Sequence, residues 1–353
     1  MKEIPIIIFG AGGVGRALLQ QLMEGRAEFE ARNRCRFRVI AVADSASWRR
    51  DADGLDDADI EALIAAKKKR RPLGEAQENS AQLLEWARAQ GVERAIVVDV
   101  TAAGDMEAVV DEALAQEYAV VLANKKPLTG PWATAQHYYD EPRLRYEATV
   151  GGGQPVIATL RYLLDTGDTI MRVEGQLSGT LSYICQRMDD GTRFSVALAA
   201  AKARGVTEPD PREDLSGRDV MRKLLILGRT AGWALEEEAI EVESLYSPSL
   251  AHLDAQEFML ASLAMDPSFR DRVNAAGAAG EVLRYLAELE GGTGSVGLKA
   301  VPVESAMANL KYVSFQTTRY AEEPLLVASN TSGVQTTASG VLGDMLDLAR
   351  EVF

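Results

Sequence analysis

The chain has 353 residues, which suits two or three compact units rather than one small domain. Its 52 acidic and 38 basic residues give a net charge of −14, which argues against a general nucleic-acid binder because such proteins hold phosphates with Lys and Arg. An ordinary hydrophobic fraction of 47% excludes a disordered chain, and no apolar run reaches the ~18 residues of a membrane span. Cys35 and Cys185 alone cannot form a disulfide framework. We therefore expect a cytoplasmic protein with no nucleic-acid or membrane partner.

The first part of the chain alternates predicted buried strands with predicted helices. Residues 4–9 form a short apolar run rich in Ile, typical of a central parallel strand that is covered on both faces. A glycine-rich turn follows at 10–15, and then a helix with leucines at helical spacing. The alternation continues with strands predicted at 37–43, 95–100 and 119–122 and a helix at 106–116. It indicates a doubly wound α/β domain.

Between residues 45 and 80 the pattern weakens, and a basic run at 67–71 stands among acidic neighbours. The simplest interpretation is a solvated helix end followed by a turn at Pro72. A nucleic-acid-binding patch and a contact to a cofactor phosphate are the alternatives that the sequence leaves open.

The second half of the chain mixes strands with long helices. Glycines at 151–153 follow a strand-like stretch at 144–150, and glycines at 291, 292 and 294 indicate another flexible joint. Two extended stretches in the tail, at 311–317 and 325–329, suggest a sheet that pairs across a two-fold axis. We predict a nucleotide-binding domain at 1–146, a hinge at 147–155, a catalytic domain at 156–291, a dimerisation segment at 292–334 and a C-terminal helix that returns to the first domain at 335–353.

The glycine-rich turn carries a dinucleotide-binding signature, because it follows a buried strand and opens a helix. Gly10 permits the tight turn, Gly12 lets the backbone approach a pyrophosphate, and Gly15 allows close packing of helix on strand. The backbone N–H groups and the helix dipole then face the phosphates. The predicted cofactor contacts here are Gly10, Gly12, Gly13, Val14 and Gly15.

Asp44 closes the next predicted strand, 29 residues after Gly15. As a carboxylate it can accept a hydrogen bond from a ribose 2′-hydroxyl, which favours NAD. Ser45, Arg49 and Arg50 follow and could hold a 2′-phosphate instead, which favours NADP. The sequence leaves this choice open.

The highest density of candidate catalytic residues is at 205–223, where five carboxylates and a lysine fall within sixteen residues. Asp219 and Lys223 stand at i and i+4 on one side of a predicted helix. An ordinary surface ion pair would explain these two residues alone. The surrounding carboxylates, in a chain with a dinucleotide signature, favour a catalytic cluster instead.

Taken together, these motifs resemble those of the homoserine dehydrogenase family in its short form, without a C-terminal regulatory domain. The resemblance implies a Rossmann-type doubly wound sheet and an α+β catalytic domain with a dimerisation sheet. It also implies a homodimer, weak or absent inhibition by threonine, and NAD(P)-dependent interconversion of L-homoserine and L-aspartate 4-semialdehyde in threonine and methionine biosynthesis. The matching segments occur in the family's order, at 10–15, 99–101, 123–128, 147–153, 177–184, 205–223 and 338–344.

By this resemblance, Lys223 exchanges a proton with the C4 oxygen of the substrate, and Lys125 lies near the nicotinamide and the reacting carbon. Hydride loss from C4 requires a base within hydrogen-bond reach of the hydroxyl group, and burial or a second cation can lower the pKa of a lysine enough for that task. Asp219, one helical turn away, can orient Lys223, although its charge alone would raise the pKa of that lysine.

The resemblance also implies contacts to the substrate, the nicotinamide and an ion. Glu208 corresponds to the partner of the substrate ammonium, and Asp214 is a second carboxylate at that end. A monovalent metal ion, Na⁺ or K⁺, is implied beside the glycine loop, although a hinge alone would also explain these glycines. Near the nicotinamide, the resemblance implies Thr101, Ala123, Lys125, Gly205 and Gly333; for the ion, it implies Glu147 and the carbonyls of Val150, Gly152 and Gln154.

The sequence departs from the family pattern in places, since Gln154 and Gln176 replace residues that are usually apolar and Glu213 stands where many members have Asp. Three alternatives stay open at this point. Aspartate-semialdehyde dehydrogenase would need a nucleophilic cysteine, and another amino-acid or sugar dehydrogenase would explain the glycine turn but not the 205–223 cluster. A non-catalytic dinucleotide sensor would have no need of Lys125, Lys223 and Glu208 together.

Overall fold

A computed structural model describes residues 1–77 and 79–353. The chain divides into two compact units, Met1–Ile157 with Thr331–Phe353 and Ala158–Asn330. The end of the chain is therefore part of the first unit. No helix in the described parts is long and apolar enough to cross a membrane.

The strands and helices follow the predicted alternation closely. In chain order, the strands are β1 Lys2–Phe9, β2 Cys35–Ala43, β3 Ser47–Arg50, β4 Glu75–Ala76, β5 Ile96–Asp99, β6 Ala119–Leu122, β7 Leu144–Arg145, β8 Ile170–Gly175, β9 Ile240–Val242, β10 Glu281–Glu290, β11 Thr293–Pro302, β12 Tyr312–Thr317 and β13 Leu325–Ala328. The helices are α1 Gly13–Glu24, α2 Arg26–Asn33, α3 Asp57–Lys68, α4 Ala81–Ala89, α5 Glu107–Ala115, α6 Lys126–Thr129, α7 Trp132–Tyr139, α8 Val156–Asp165, α9 Gly179–Asp189, α10 Phe194–Ala203, α11 Pro211–Leu215, α12 Arg218–Thr230, α13 Ala255–Ala261, α14 Asp266–Ala278 and α15 Val334–Glu351.

The first unit is built on a sheet of order β4-β3-β2-β1-β5-β6-β7. Within this order, the five neighbouring strands β2, β1, β5, β6 and β7 are parallel. Strands β3 and β4 extend the sheet beyond β2, and each is antiparallel to its neighbour. Because both faces of a parallel sheet are covered, β1 is apolar throughout its centre, and Ile4, Ile6 and Ile8 are fully buried. Side chains of α1 and α15, including Leu18 and Val341, pack into the same core.

The weakly patterned segment after β2 folds as β3, α3 and β4. Asp56 caps α3 by accepting a hydrogen bond from the Asp59 N–H at 2.8 Å. As the sequence predicts, the basic run at 67–71 forms the end of α3 and the turn that follows it.

The second unit contains a sheet of order β13-β12-β8-β10-β11-β9. Its longest element is the antiparallel hairpin of β10 and β11, joined by Gly291 and Gly292 with φ of +59° and +83°. These glycines therefore form a two-residue hairpin turn, which needs positive φ at both positions, and not the flexible joint expected from the sequence. A boundary at 291/292 would cut this hairpin in two.

The two faces of the second sheet differ in character. Helix α12 packs against one face, where a Cβ on Gly228 would approach the Leu289 side chain to 2.4 Å. Side chains at the alternate strand positions lie on the opposite face. There Arg172 forms ion pairs with Glu174 and Glu288, and Lys299 forms one with Glu288. Together the two units confirm the predicted fold, a Rossmann-type sheet and an α+β unit.

Candidate active site

The glycine turn lies where β1 ends, at the carboxyl edge of the parallel strands. Gly10 has φ of +107°, and a Cβ on it would lie 2.9 Å from the Val100 carbonyl. A Cβ on Gly15 would lie 1.9 Å from the Gly10 oxygen, so only glycine lets α1 start this close to β1. Gly12 faces open space, and no side chain in the described residues caps the first turn of α1. The first N–H groups of α1 are thus suited to a pyrophosphate.

Two further predicted cofactor residues flank this turn, and the start of α15 lies beside it. A Cβ on Gly13 would approach Cγ1 of Val334 to 2.9 Å, which places the neighbouring Gly333 close to the turn. Gly333 has φ of +151°, and its carbonyl oxygen accepts from the Thr337 N–H at 3.0 Å. Val14 is half-buried and packs against the core.

Asp44 follows β2 at the same edge of the sheet, but its carboxylate already has protein partners. Oδ2 accepts from Lys67 Nζ at 2.6 Å, and Oδ1 accepts from the Ala46 and Ser47 N–H groups at 2.9 and 2.7 Å. Burial opposes the negative charge, but these hydrogen bonds outweigh it and lower the pKa of Asp44. Lys67 therefore places a cation at the position where the sequence predicts the ribose contact.

A buried network holds together the two loops that follow β5 and β6. The Asp99 carboxylate accepts from the Thr101 N–H at 2.9 Å and from Asn124 Nδ2 at 3.0 Å. The Ala123 N–H donates to the Asp99 carbonyl at 2.8 Å, and Lys125, directly after Asn124, is the N-cap residue of α6. Burial raises the pKa of Asp99. Three predicted nicotinamide-side residues thus lie on loops that Asp99 joins, a role that sequence reasoning missed.

The predicted ion site lies on the loop before α8. Glu147 is buried, its N–H donates to Asp344 Oδ2 at 2.7 Å, and its Oε1 accepts from the Ile157 N–H at 2.8 Å. Gly152 has positive φ, as do the glycines on either side of it. The carbonyl of Gln154 accepts a hydrogen bond from the Val156 N–H at 2.8 Å.

The predicted donor set at this loop consists of oxygen atoms alone: the carboxylate of Glu147 and the carbonyls of Val150, Gly152 and Gln154. Such a set fits a hard monovalent cation in its chemistry. No three His, Cys, Asp or Glu side chains in residues 1–77 and 79–353 form a cluster for a metal ion. A site that binds an ion mainly through backbone carbonyls does not require such a cluster of side chains.

In the second unit, Lys223 lies on α12 with 18% of its side chain exposed. Its Nζ donates to the Leu177 carbonyl at 2.7 Å and lies 2.7 Å from Asp219 Oδ2, one turn earlier on the helix. The ammonium is thus fixed by one neutral and one charged acceptor. The predicted i, i+4 pair exists; its lysine is mostly buried, whereas 49% of the Asp219 side chain is exposed.

Asp214, another carboxylate of the 205–223 segment, lies near enough to Asp219 and Glu213 for their charges to act on it. Asp214 Oδ2 accepts from the Glu208 N–H at 2.8 Å, which fixes the turn that presents the exposed Glu208. Burial raises the pKa of Asp214, and the charges of Asp219 and Glu213 add to the effect. Gly205 has φ of +68° and ends α10.

Neither cysteine suits nucleophilic catalysis. Cys185 is fully buried on α9, and burial raises the pKa of its thiol to about 12. Cys35 is fully buried as well, and burial raises the pKa of its thiol above the ordinary value. A thiolate is the nucleophilic form, so both residues act as apolar packing groups.

The glycine turn and the parallel sheet define the class of the chain, a protein with a Rossmann-type dinucleotide-binding domain. Residues 10–143 match the family model of the homoserine dehydrogenase NAD-binding domain, and residues 155–346 match the homoserine dehydrogenase model. The chain belongs to the homoserine dehydrogenase family. The resemblance read from the motifs is thereby confirmed.

Similar proteins agree with this assignment. The chain is 36% identical, over 97% of its length, to an Arabidopsis thaliana bifunctional aspartokinase/homoserine dehydrogenase, but it spans 38% of that protein. It is 36% identical to a Paracoccidioides brasiliensis homoserine dehydrogenase, over 72% of this chain and 74% of that protein. A hyperthermophilic archaeal homoserine dehydrogenase solved in complex with NADPH has the same fold, with a TM-score of 0.75 at 22% identity, over 99% of this chain and 98% of that one.

Proposed function

We propose that this protein interconverts L-homoserine and L-aspartate 4-semialdehyde with NAD(P), a step toward threonine and methionine. The observation that carries the proposal is the arrangement around Lys223, whose ammonium is held between Asp219 and the Leu177 carbonyl, with Asp214 within range of the Asp219 charge. The family assignment supports the substrate, and the glycine turn supports the cofactor. The buried cysteines argue against aspartate-semialdehyde dehydrogenase, which needs a thiolate.

In the proposed mechanism, Lys223 takes the proton of the C4 hydroxyl group while hydride leaves C4, and it returns the proton in the reverse direction. Bound NAD(P)⁺ supplies the hydride acceptor. Asp219 orients the Lys223 amine, and Glu208 and Asp214 bind the substrate ammonium. Lys125 positions the reacting carbon near the nicotinamide.

The Lys223→Ala variant tests this proposal, with Lys202→Ala on α10 as a control that removes a lysine elsewhere in the same unit. We expect turnover with homoserine to fall by about 10²–10⁴-fold in Lys223→Ala, the usual contribution of a general acid–base group. The dissociation constant of the cofactor should hardly change. Unchanged turnover would reject Lys223 as the base.

We propose NADP(H) as the preferred cofactor. Asp44 already accepts hydrogen bonds from Lys67 and from the following turn, so a 2′-hydroxyl would compete with these donors. Lys67 adds a positive charge suited to a 2′-phosphate. Comparing kcat/KM for NADP⁺ and NAD⁺ tests the choice, and a higher value for NAD⁺ would contradict it.

We also propose that Na⁺ or K⁺ occupies the loop at 147–154, held by Glu147 and by the carbonyls of Val150, Gly152 and Gln154. The ion would fix the loop at the start of α8. Initial rates in NaCl, KCl and tetramethylammonium chloride at equal ionic strength test this. Equal rates and equal melting temperatures in all three salts would contradict an ion at this loop.

For the assembly, we propose a homodimer that pairs through the face of the second sheet opposite α12. That face carries the ion pairs of Arg172 and Lys299, and Ser314 on it is 5% exposed. Leu326, an apolar side chain on the same face, is 41% exposed. Light scattering after gel filtration should give twice the mass of 38.2 kDa.

A further inference from the structure

Gln176 places a buried amide directly after β8, at a position that is usually apolar in the family. The residue is 4% exposed, and burying an amide costs free energy unless its polar atoms find partners. Its Nε2 donates to the Met307 carbonyl at 2.7 Å and to the Leu310 carbonyl at 3.0 Å. Its backbone N–H donates to the Tyr312 carbonyl at 3.0 Å. The end of β8 is therefore clamped to the loop that leads into β12 and to the first residue of that strand.

The Ser182 hydroxyl group on α9 braces the same stretch of backbone from another side. Its Oγ lies 3.2 Å from Gln176 Oε1 and 2.7 Å from the Ser178 carbonyl, and its single proton is shared between these acceptors. Ser178 is also the N-cap of α9, where its Oγ accepts from the Leu181 N–H at 3.2 Å. Side-chain hydrogen bonds thus fix both residue 176 and residue 178.

Leu177 lies between these two fixed residues, and its carbonyl holds the proposed base. This carbonyl accepts from Lys223 Nζ at 2.7 Å. Asp219, the charged acceptor of the same ammonium, lies on the same helix as Lys223, and 49% of its side chain is exposed. The contact with Asp219 therefore moves with α12, whereas the Leu177 carbonyl ties the ammonium to the sheet.

We propose that Gln176 is a positioning residue for the acid–base step, and that it acts through the Leu177 carbonyl on Lys223. Proton transfer requires Lys223 Nζ within hydrogen-bond reach of the C4 hydroxyl group of the substrate. A misplacement of about 1 Å can cost on the order of 10²-fold in rate. Ser182 supports Gln176 in this role. The inference rests on the proposed function, in which Lys223 is the base.

The Gln176→Met variant tests the inference through kcat and KM for homoserine oxidation. Methionine nearly keeps the volume of the side chain but removes the amide contacts with the loop before β12. We expect kcat to fall by about tenfold, because the Leu177 carbonyl is no longer held in place. KM for homoserine should hardly change, because the contact of Asp214 with Glu208 remains. The dissociation constant of NADP⁺ should hardly change either, since its proposed site lies in the first unit.

Two further variants separate the Leu177 carbonyl from other effects of the clamp. Ser182→Ala weakens the hold on residues 176 and 178 but leaves the Gln176 Nε2 contacts in place. It should lower kcat in the same way, by a smaller factor. Gln316→Met is the matched control and should keep the wild-type kcat. Gln316 on β12 donates from its Nε2 to the Ala321 carbonyl at 2.8 Å, but it pairs with Arg172 near the start of β8.

The outcomes are distinguishable when the rates are measured well below each variant's melting temperature. An unchanged kcat in Gln176→Met, even with a lower melting temperature, would overturn the inference, as would an equal loss in Gln316→Met. A wild-type kcat in Ser182→Ala would also reject it, and this variant decides the question if Gln176→Met does not fold. If the wild-type protein does not oxidise homoserine, or Lys223→Ala keeps its turnover, the proposed function itself fails and the inference fails with it.

Discussion

Replacing Asp99 by Asn should loosen the carboxyl edge of the first sheet. The carboxylate of Asp99 accepts hydrogen bonds from the Thr101 N–H and from Asn124 Nδ2, the Thr101 hydroxyl group adds another, and the site is 1% exposed. An amide has only one oxygen, so its NH₂ group must face one of the two N–H donors. Rotating Asn124 does not help, because its Nδ2 also donates to the Ala103 carbonyl and its Oδ1 accepts from the Lys126 N–H.

A buried donor without an acceptor costs about 1–3 kcal/mol, and Asp99→Asn relieves part of this because it removes a carboxylate that is unfavourably buried. A net loss of about 1–2 kcal/mol should lower the melting temperature by roughly 2–8 °C in a domain of this size. The dissociation constant of NADP⁺ should rise as well, because the two loops carry Thr101 and Lys125.

Calorimetry measures the first effect, and titration of cofactor fluorescence measures the second. Asp105→Asn, an exposed carboxylate on the same loop, is the matched control and should leave both quantities unchanged. If Asp99→Asn has the same melting temperature and the same dissociation constant for NADP⁺ as the wild type, the Asp99 network does not hold these loops together.

Three further results are expected. Iodoacetamide at pH 8 should neither label nor inactivate the native protein. The Cys185 thiol, with a pKa of about 12, is only ~0.01% ionised at that pH, and Cys35 is also buried. Rapid labelling at either cysteine would contradict the burial. Lys67→Met should lower kcat/KM for NADP⁺ more than for NAD⁺, and an equal loss with both cofactors would remove Lys67 from the phosphate site. Gly153→Ala should lower the melting temperature strongly, because its Cβ would lie 1.8 Å from the Thr336 oxygen at φ of +95°, whereas Gly277→Ala, in open space on α14, should raise it slightly.

The first unit could be predicted well because local signals agree with its tertiary structure. Strands β1 and β6 are short apolar runs that end in turns, and a buried parallel strand requires that composition. The hairpin of β10 and β11 was harder to predict. Glu, Arg and Tyr interrupt its apolar pattern, and paired glycines suit both a flexible joint and a tight turn.

The candidate site was predictable where its residues are close in the sequence. The pair of Asp219 and Lys223 follows from helical spacing, and the glycine turn follows from its position after a strand. The contact of Asp99 with Asn124 depends on strands adjacent in space but distant in sequence. No local pattern marks such residues, and only the register of the sheets brings them together.

Helix α15 has a consequence for how the protein is made. Because it packs into the core with β1 and α1, the first unit lacks part of its interior until residues 331–353 have left the ribosome. The second unit, whose residues are contiguous, can complete its folding earlier during synthesis. A chain truncated after residue 330 would therefore keep every residue of the second unit and leave apolar surface on the first unit exposed to chaperones.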